Sequence, residues 1–199
     1  MICMMGGAAN TVRGEKSSMN RSTLAAVVVA LALGSVLAGI TTRVAMAQAA
    51  EDPARYRLEL FAKLRAALAG QRDVQVVGDR FVIPSELLFQ SGAAVVQPAG
   101  EKLLAIVAQR LIEVSGEIPK DTPWVLQVDG HTDSTPINNS LYPSNWELSS
   151  ARAIAVVKFL NGAGIPNERL VAAGYSQYQP LSTIDRARNR RVELKLTNR

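Results

Sequence analysis

The stretch Trp124-Val125-Leu126-Gln127-Val128 constrains the fold more than any other part of this chain. A near-continuous apolar run of this length suits a central strand buried on both faces. The run stops at Asp129-Gly130. Ser134 to Pro143 then holds two prolines and two adjacent asparagines, so it is loop. Ser144-Asn145-Trp146-Glu147 follows as a capping box, in which the serine caps a helix and the glutamate reaches back. The helix is expected to run to about Leu160, before Gly162 and Gly164. A buried strand, a polar loop and a capped helix define an α/β unit.

The flanking segments extend that unit. Val74 to Ile83 reads as a strand, with a hairpin turn at Gly78-Asp79. Pro84 to Pro98 reads mostly as loop. From Pro98 the period changes, and Leu103, Leu104, Val107, Ala108 and Leu111 form one helical stripe that Gly116 can end. Arg169 to Ala173 reads as a short strand. Val192, Leu194 and Leu196 alternate with Glu193, Lys195 and Thr197, which predicts a last, half-exposed strand. The order β-α-β-α-β-β predicts a two-layer α/β sandwich, with helices packed on a small mixed sheet. Ahead of it, Asp52-Pro53 opens a short helix with Leu60, Leu64 and Leu68 on one face, a connector packed on the domain or on a partner.

The N-terminal part is of another kind. No charged residue lies between Ser22 and Thr42, and Arg13, Lys16 and Arg21 precede the run. Ala45-Met46-Ala47 and Ala47-Gln48-Ala49 fit small-residue cleavage sites, so a secretory signal is expected. Met19 can serve as the true start in place of Met1. The rival is a retained membrane anchor over residues 22–42, long enough to span a bilayer. Either sends the rest of the chain to the periplasm. The expected division is residues 1–50 as signal or anchor, 51–72 as connector, and 73–199 as the folded domain.

The net charge of +5 suggests nucleic acid until its distribution is examined. Residues 71–199 carry 14 Lys and Arg against 13 Asp and Glu, so the excess sits in the flank. A nucleic-acid binder shows its excess in the folded domain. The basic run Arg186, Arg188, Arg190 and Arg191 has no interleaved aromatics, and is expected to face acids or a polymer. His131 is the only histidine, and the lone Cys3 gives no companion for a metal site. Asp129 and Asp133 are not evidently arranged across a sugar cleft, and no nucleophile–base pair is visible. No enzyme activity, cofactor or metal is expected.

A binding site is the better reading of the same residues. With a helix starting near Ser144, Asn145, Ser149 and Arg152 share one face. Arg152 lies among Ala151, Ala153, Ile154 and Ala155, and a guanidinium in such a setting needs an acidic or carbonyl partner. Asp133, at the strand end, is the natural candidate. The end of a strand beside a helix N-terminus is where α/β sheets bind ligands. Two readings stay open at this point. Asp133 and Arg152 pair with each other as a structural bridge, or they hold the ammonium and carboxylate of a zwitterionic ligand.

Several motifs, in order, carry a resemblance: Gly130-His131-Thr132-Asp133, Asn145-x-x-Leu148-Ser149-x-x-Arg152-Ala153, Gly164-Ile165, Gly174-Tyr175 and Asn189-Arg190-Arg191-Val192-Glu193. Together they resemble the OmpA-like peptidoglycan-binding domain over roughly Phe81 to Leu196. Pro143 to Ser149 is most similar to the version in the flagellar stator protein MotB and its non-motor relatives. The resemblance implies non-catalytic binding of the diaminopimelate residue of the peptidoglycan stem peptide. It implies that Asp133 contacts the ammonium and Arg152 the carboxylate, that Thr132 and Asn145 shape the pocket, and that Arg190 lies near the ligand. A stator carries an acid in its membrane helix; Leu24 to Ile40 has none, so a non-motor member is expected. The expected partners are peptidoglycan and, if the N-terminal helix is retained, the inner membrane, but no nucleic acid. A homodimer stays open. An assembly domain without wall binding and a cell-wall hydrolase are the alternatives.

Overall fold

The structure is a computed structural model that describes residues 53–120 and 122–198. The apolar run of residues 22–42 and its cleavage patterns lie outside the described residues. Among the described residues no helix is long and apolar enough to cross a membrane.

The sheet forms from five strands. Helix α1 (Pro53–Leu68) leads into the hairpin β1 (Gln75–Val77) and β2 (Arg80–Pro84). The hairpin turns at Gly78-Asp79, as the sequence predicts, with Gly78 at φ 61, a conformation open to glycine at little cost. A one-turn helix α2 (Ser85–Leu88) and a loop follow, then α3 (Pro98–Ser115), β3 (Trp124–His131) and α4 (Asn145–Gly162). A 3-10 turn (Asn167–Arg169) precedes β4 (Leu170–Gly174), and α5 (Arg186–Asn189) precedes β5 (Arg191–Asn198). The strand order is β1-β2-β5-β3-β4. Only β3 and β4 run parallel, joined through α4; the other pairs are antiparallel. This is a mixed α/β architecture with helices on a small mixed sheet.

Register sorts the side chains onto two faces. Phe81 lies opposite Leu194, Ile83 opposite Val192, Leu126 opposite Leu196, and Val128 opposite Leu194. These residues join Leu104, Val107 and Leu111 of α3 and Val156 and Leu160 of α4 in one core. Leu60, Leu64 and Leu68 of α1 belong to it too, so α1 packs on the domain. The other face carries Gln127, Asp129 and His131 of β3 against Lys195, Glu193 and Arg191 of β5.

Two expectations need correction. The last strand is not half-exposed: β5 lies between β2 and β3, and Glu193 is 1 % exposed. Arg191 and Glu193 alternate as on a solvent face but are buried, because Glu193 accepts from Arg80 and Arg191, both at 2.6 Å, whereas Lys195 and Thr197 stay half-buried. Strand β3 runs past Gly130 to His131, since Asp129 and His131 have polar partners across the ladder. The segment after Pro84 is mostly loop, as expected, with α2 forming one turn at its start. A four-residue helix is too short to leave a period in the sequence.

Helix α4 lies unusually close to the sheet. A Cβ at Gly130 would meet the Ser149 carbonyl, and one at Gly174 the Ser150 hydroxyl and amide. Two glycines on the strands and two serines on the helix allow this approach, which brings the start of α4 beside the end of β3.

Candidate ligand-binding cavity

A cavity of about 450 Å³ opens where β3 ends and α4 begins. All five residues expected at a site, Thr132, Asp133, Asn145, Arg152 and Arg190, line it. The size lies within the range of small-molecule sites.

Each wall is set locally. Ser144 caps α4, its Oγ accepting from the Trp146 amide at 3.1 Å. Its hydroxyl also donates to the Glu147 carboxylate, closing the expected capping box by a side-chain route. This fixes Asn145 one residue inside the helix. Asn145 Nδ2 donates to the Thr135 carbonyl at 2.9 Å and to Gln177 Oε1 at 3.1 Å, tying the loop after β3 to the loop after β4. The Thr132 amide donates to the Ser176 carbonyl at 2.9 Å, whereas its buried Oγ1 makes no hydrogen bond within the protein.

Asp133 and Arg152 do not pair. Asp133 Oδ1 accepts from the Thr135 amide at 2.8 Å, and Oδ2 from Arg190 Nη1 at 2.7 Å. Burial raises the Asp133 pKa, but Arg190 and the Thr135 contacts outweigh it, so the carboxyl lies below its usual range. Arg190 also donates from Nε to Glu86 at 2.6 Å, and its own pKa is raised chiefly by Asp133. Arg190 therefore sits at the cavity as an ion-paired bridge between two acids.

Arg152 is held differently. Its Nε donates to the Ala93 carbonyl at 2.9 Å and its Nη2 to the Gln90 carbonyl at 3.3 Å. Its Cζ lies 5.3 Å from the Phe89 ring centroid. Carbonyls and an aromatic face satisfy the guanidinium without neutralising it. Among the described residues no carboxylate forms an ion pair with it, and burial lowers its pKa. The expectation that Asp133 is its partner gives way to a backbone cradle from the loop after α2. Sequence reasoning missed Phe89, Gln90 and Ala93 for this reason: a backbone carbonyl carries no residue-type signal. Glu86 was missed as well.

The polar face of the sheet supplies His131 with companions that sequence spacing hid. Asp129, His131 and Glu193 come together with candidate ligand atoms within 4.8 Å of one another. Glu193 is already engaged by Arg80 and Arg191, and these two cations oppose a third. Burial, then the charge of Arg191, lowers the His131 pKa from 6.5 to about 4. The ring stacks on Tyr175 at 5.1 Å. Asp129 accepts from Gln127 at 2.8 Å on this face and does not line the cavity with Asp133.

Residues 88–193 match the model of the OmpA family. The chain belongs to the OmpA family. It is 38% identical to the uncharacterized protein YtxE of Bacillus subtilis (strain 168), over 66% of this chain and 52% of that protein. The chain spans about half the length of the curated relatives it matches. A crystal structure of a protein described as MotB-like, from Desulfovibrio vulgaris, superposes with a TM-score of 0.62 at 29% identity, covering 73% of this chain and 96% of that one. The cell wall anchor of the T6SS from Pseudomonas aeruginosa superposes with a TM-score of 0.57 at 34% identity, covering 70% of this chain and 97% of that one. The sequence resemblance to a MotB-like member of this family therefore holds.

Proposed function

We propose that this OmpA-family domain binds peptidoglycan without catalysis, through the diaminopimelate of the stem peptide, and so ties the cell envelope to the wall. The observation that carries this reading is Arg152. A buried guanidinium with no carboxylate partner among the described residues lines a cavity that Asp133 lines as well. Such a cation calls for an anion from outside, and a carboxylate is the group it receives in a two-pronged hydrogen bond. Asp133 keeps lone pairs beyond those used by Thr135 and Arg190, and an ammonium can reach them. The free Thr132 hydroxyl offers a third contact. A ligand with ammonium and carboxylate on one carbon matches the pair, and the far end of diaminopimelate is that group. Kinship with a cell wall anchor supports the wall as its source.

The same reading places the domain in the periplasm, with residues 22–42 either removed as a signal or kept as an inner-membrane anchor. Thr132 and Asn145 shape the pocket, and Arg190 holds Asp133 ionised. Co-sedimentation with purified sacculi tests the reading. Wild type pellets with the wall, whereas Asp133→Asn and Arg152→Ala stay in the supernatant with unchanged circular dichroism. Undiminished pelleting of both variants would rule out this site.

A further inference from the structure

Two exposed aromatic side chains neighbour, along the chain, residues that build or brace the cavity wall, and neither belongs to the core. Trp146 is 48 % exposed and Tyr178 64 %. Their ring centroids are 5.5 Å apart, with planes inclined at 30°. Each is the chain neighbour of a residue that braces the cavity wall: Asn145 precedes Trp146 and Gln177 precedes Tyr178, and the two are hydrogen-bonded at 3.1 Å. The aromatic pair is the next rung outward from that bond.

The platform is anchored on both sides. Trp146 lies in the capped first turn of α4. On the other side, Ser176 adopts φ 53, a conformation uncommon outside glycine. It is held there by two hydrogen bonds. Its amide donates to Ser149 Oγ at 3.1 Å, and its carbonyl accepts from the Thr132 amide at 2.9 Å. The turn that presents Tyr178 is thus fixed to the strand end that presents Asp133. An aromatic pair held this firmly, one residue along the chain from the cavity-lining Asn145, is suited to a ligand that extends beyond the cavity.

Ring chemistry selects the ligand class. Aromatic faces are apolar and electron-rich. A pyranose ring presents a weakly positive C–H face, with its hydroxyls at the edge, where they remain in water. A carboxylate gains nothing from such a surface, and in the cavity reading the ligand's ammonium is already taken by Asp133. We propose that Trp146 and Tyr178 form a saccharide subsite, which takes a sugar ring of the glycan strand that carries the bound stem peptide. The proposal rests on the reading of the cavity as a stem-peptide site. Because peptide and sugar are one covalent ligand, the second contact forms at high effective concentration once the first is made.

Calorimetric titration with two ligands tests this: a diaminopimelate-containing tripeptide, and the same tripeptide on its disaccharide. Wild type binds the disaccharide-tripeptide about 3- to 10-fold more tightly, the gain of one aromatic contact. Trp146→Ala and Tyr178→Ala, both surface changes, keep the tripeptide affinity and lose the gain. Asp133→Asn loses both ligands. Fluorescence gives a second readout, since Trp124, the other tryptophan, is 6 % exposed, and a sugar on Trp146 moves emission to the blue. Equal affinity of wild type for the two ligands overturns the subsite alone and leaves the cavity reading in place. So does an equal loss of both ligands in the aromatic variants. Binding of neither ligand by wild type overturns both.

Discussion

Arg152 is only 4 % exposed, and among the described residues its guanidinium bonds to nothing more acidic than two peptide carbonyls and an aromatic face. Charges buried in this way are costly unless a partner arrives. Replacing Arg152 by Lys retains the charge but loses the fork that meets a carboxylate at two points. Affinity for a diaminopimelate tripeptide is expected to fall by about 10- to 100-fold, a loss of one charge-assisted hydrogen bond. An unchanged dissociation constant in calorimetry would contradict that role. At the same scale, His131 predicts a pH effect. Its folded pKa, about 4, lies below the ordinary 6.5, so the unfolded chain binds its proton first on acidification. The contribution is complete above pH 6.5 and is lost as pH falls toward 4, to a limit of about 3 kcal/mol. Asp129, raised by burial, acts in the opposite sense, so the effect is read by difference. Urea unfolding of His131→Phe should show a flatter pH dependence than wild type over that range; identical slopes would refute the assignment.

At the scale of elements, the close approach of α4 to β3 and β4 holds the two walls of the cavity in place. Gly130→Ala puts a methyl group against the Ser149 carbonyl, and backbone cannot give way as a flexible side chain can. A loss of about 1–3 kcal/mol is expected, as for overpacking in a core. Ligand affinity should fall with it, because Asp133 follows directly on β3 and Asn145 opens α4, the two elements forced apart. Denaturation midpoints and tripeptide titration check both effects, and a variant as stable and as tight as wild type would contradict the packing argument. Elements whose signals are local were legible in the sequence. The Ser144 capping box and the Gly78-Asp79 turn each rest on a few adjacent residues. The burial of β5 was not legible, since Glu193 reads as a solvent-facing residue until Arg80, from a strand far away in the chain, pairs with it. Likewise the sequence offers Arg152 an acid, Asp133, but cannot show that carbonyls of Gln90 and Ala93 reach it first.

On the scale of the whole molecule, the domain is nearly neutral, with a polar cavity at a sheet end, a charged network on the sheet face away from the core and an exposed aromatic pair next in the chain to residues of the cavity wall. A general basic surface would favour any acidic polymer and lose hold in salt. On the proposed reading, recognition comes from the placement of single groups, contributed from the ends of β3, α4 and the start of β5. Thr132, Asp133, Asn145, Arg152 and Arg190 are far apart in sequence, yet all reach one cavity. The most direct measurement compares two stem tripeptides that differ at one position, diaminopimelate in one and lysine in the other. Lysine keeps the ammonium for Asp133 but lacks the carboxylate for Arg152. Calorimetry should show the diaminopimelate peptide binding at least about tenfold more tightly, the worth of one charge-assisted contact. The Arg152→Lys variant should narrow that gap. Equal binding of both peptides by wild type would contradict the account, because Arg152 would then hold no part of the ligand.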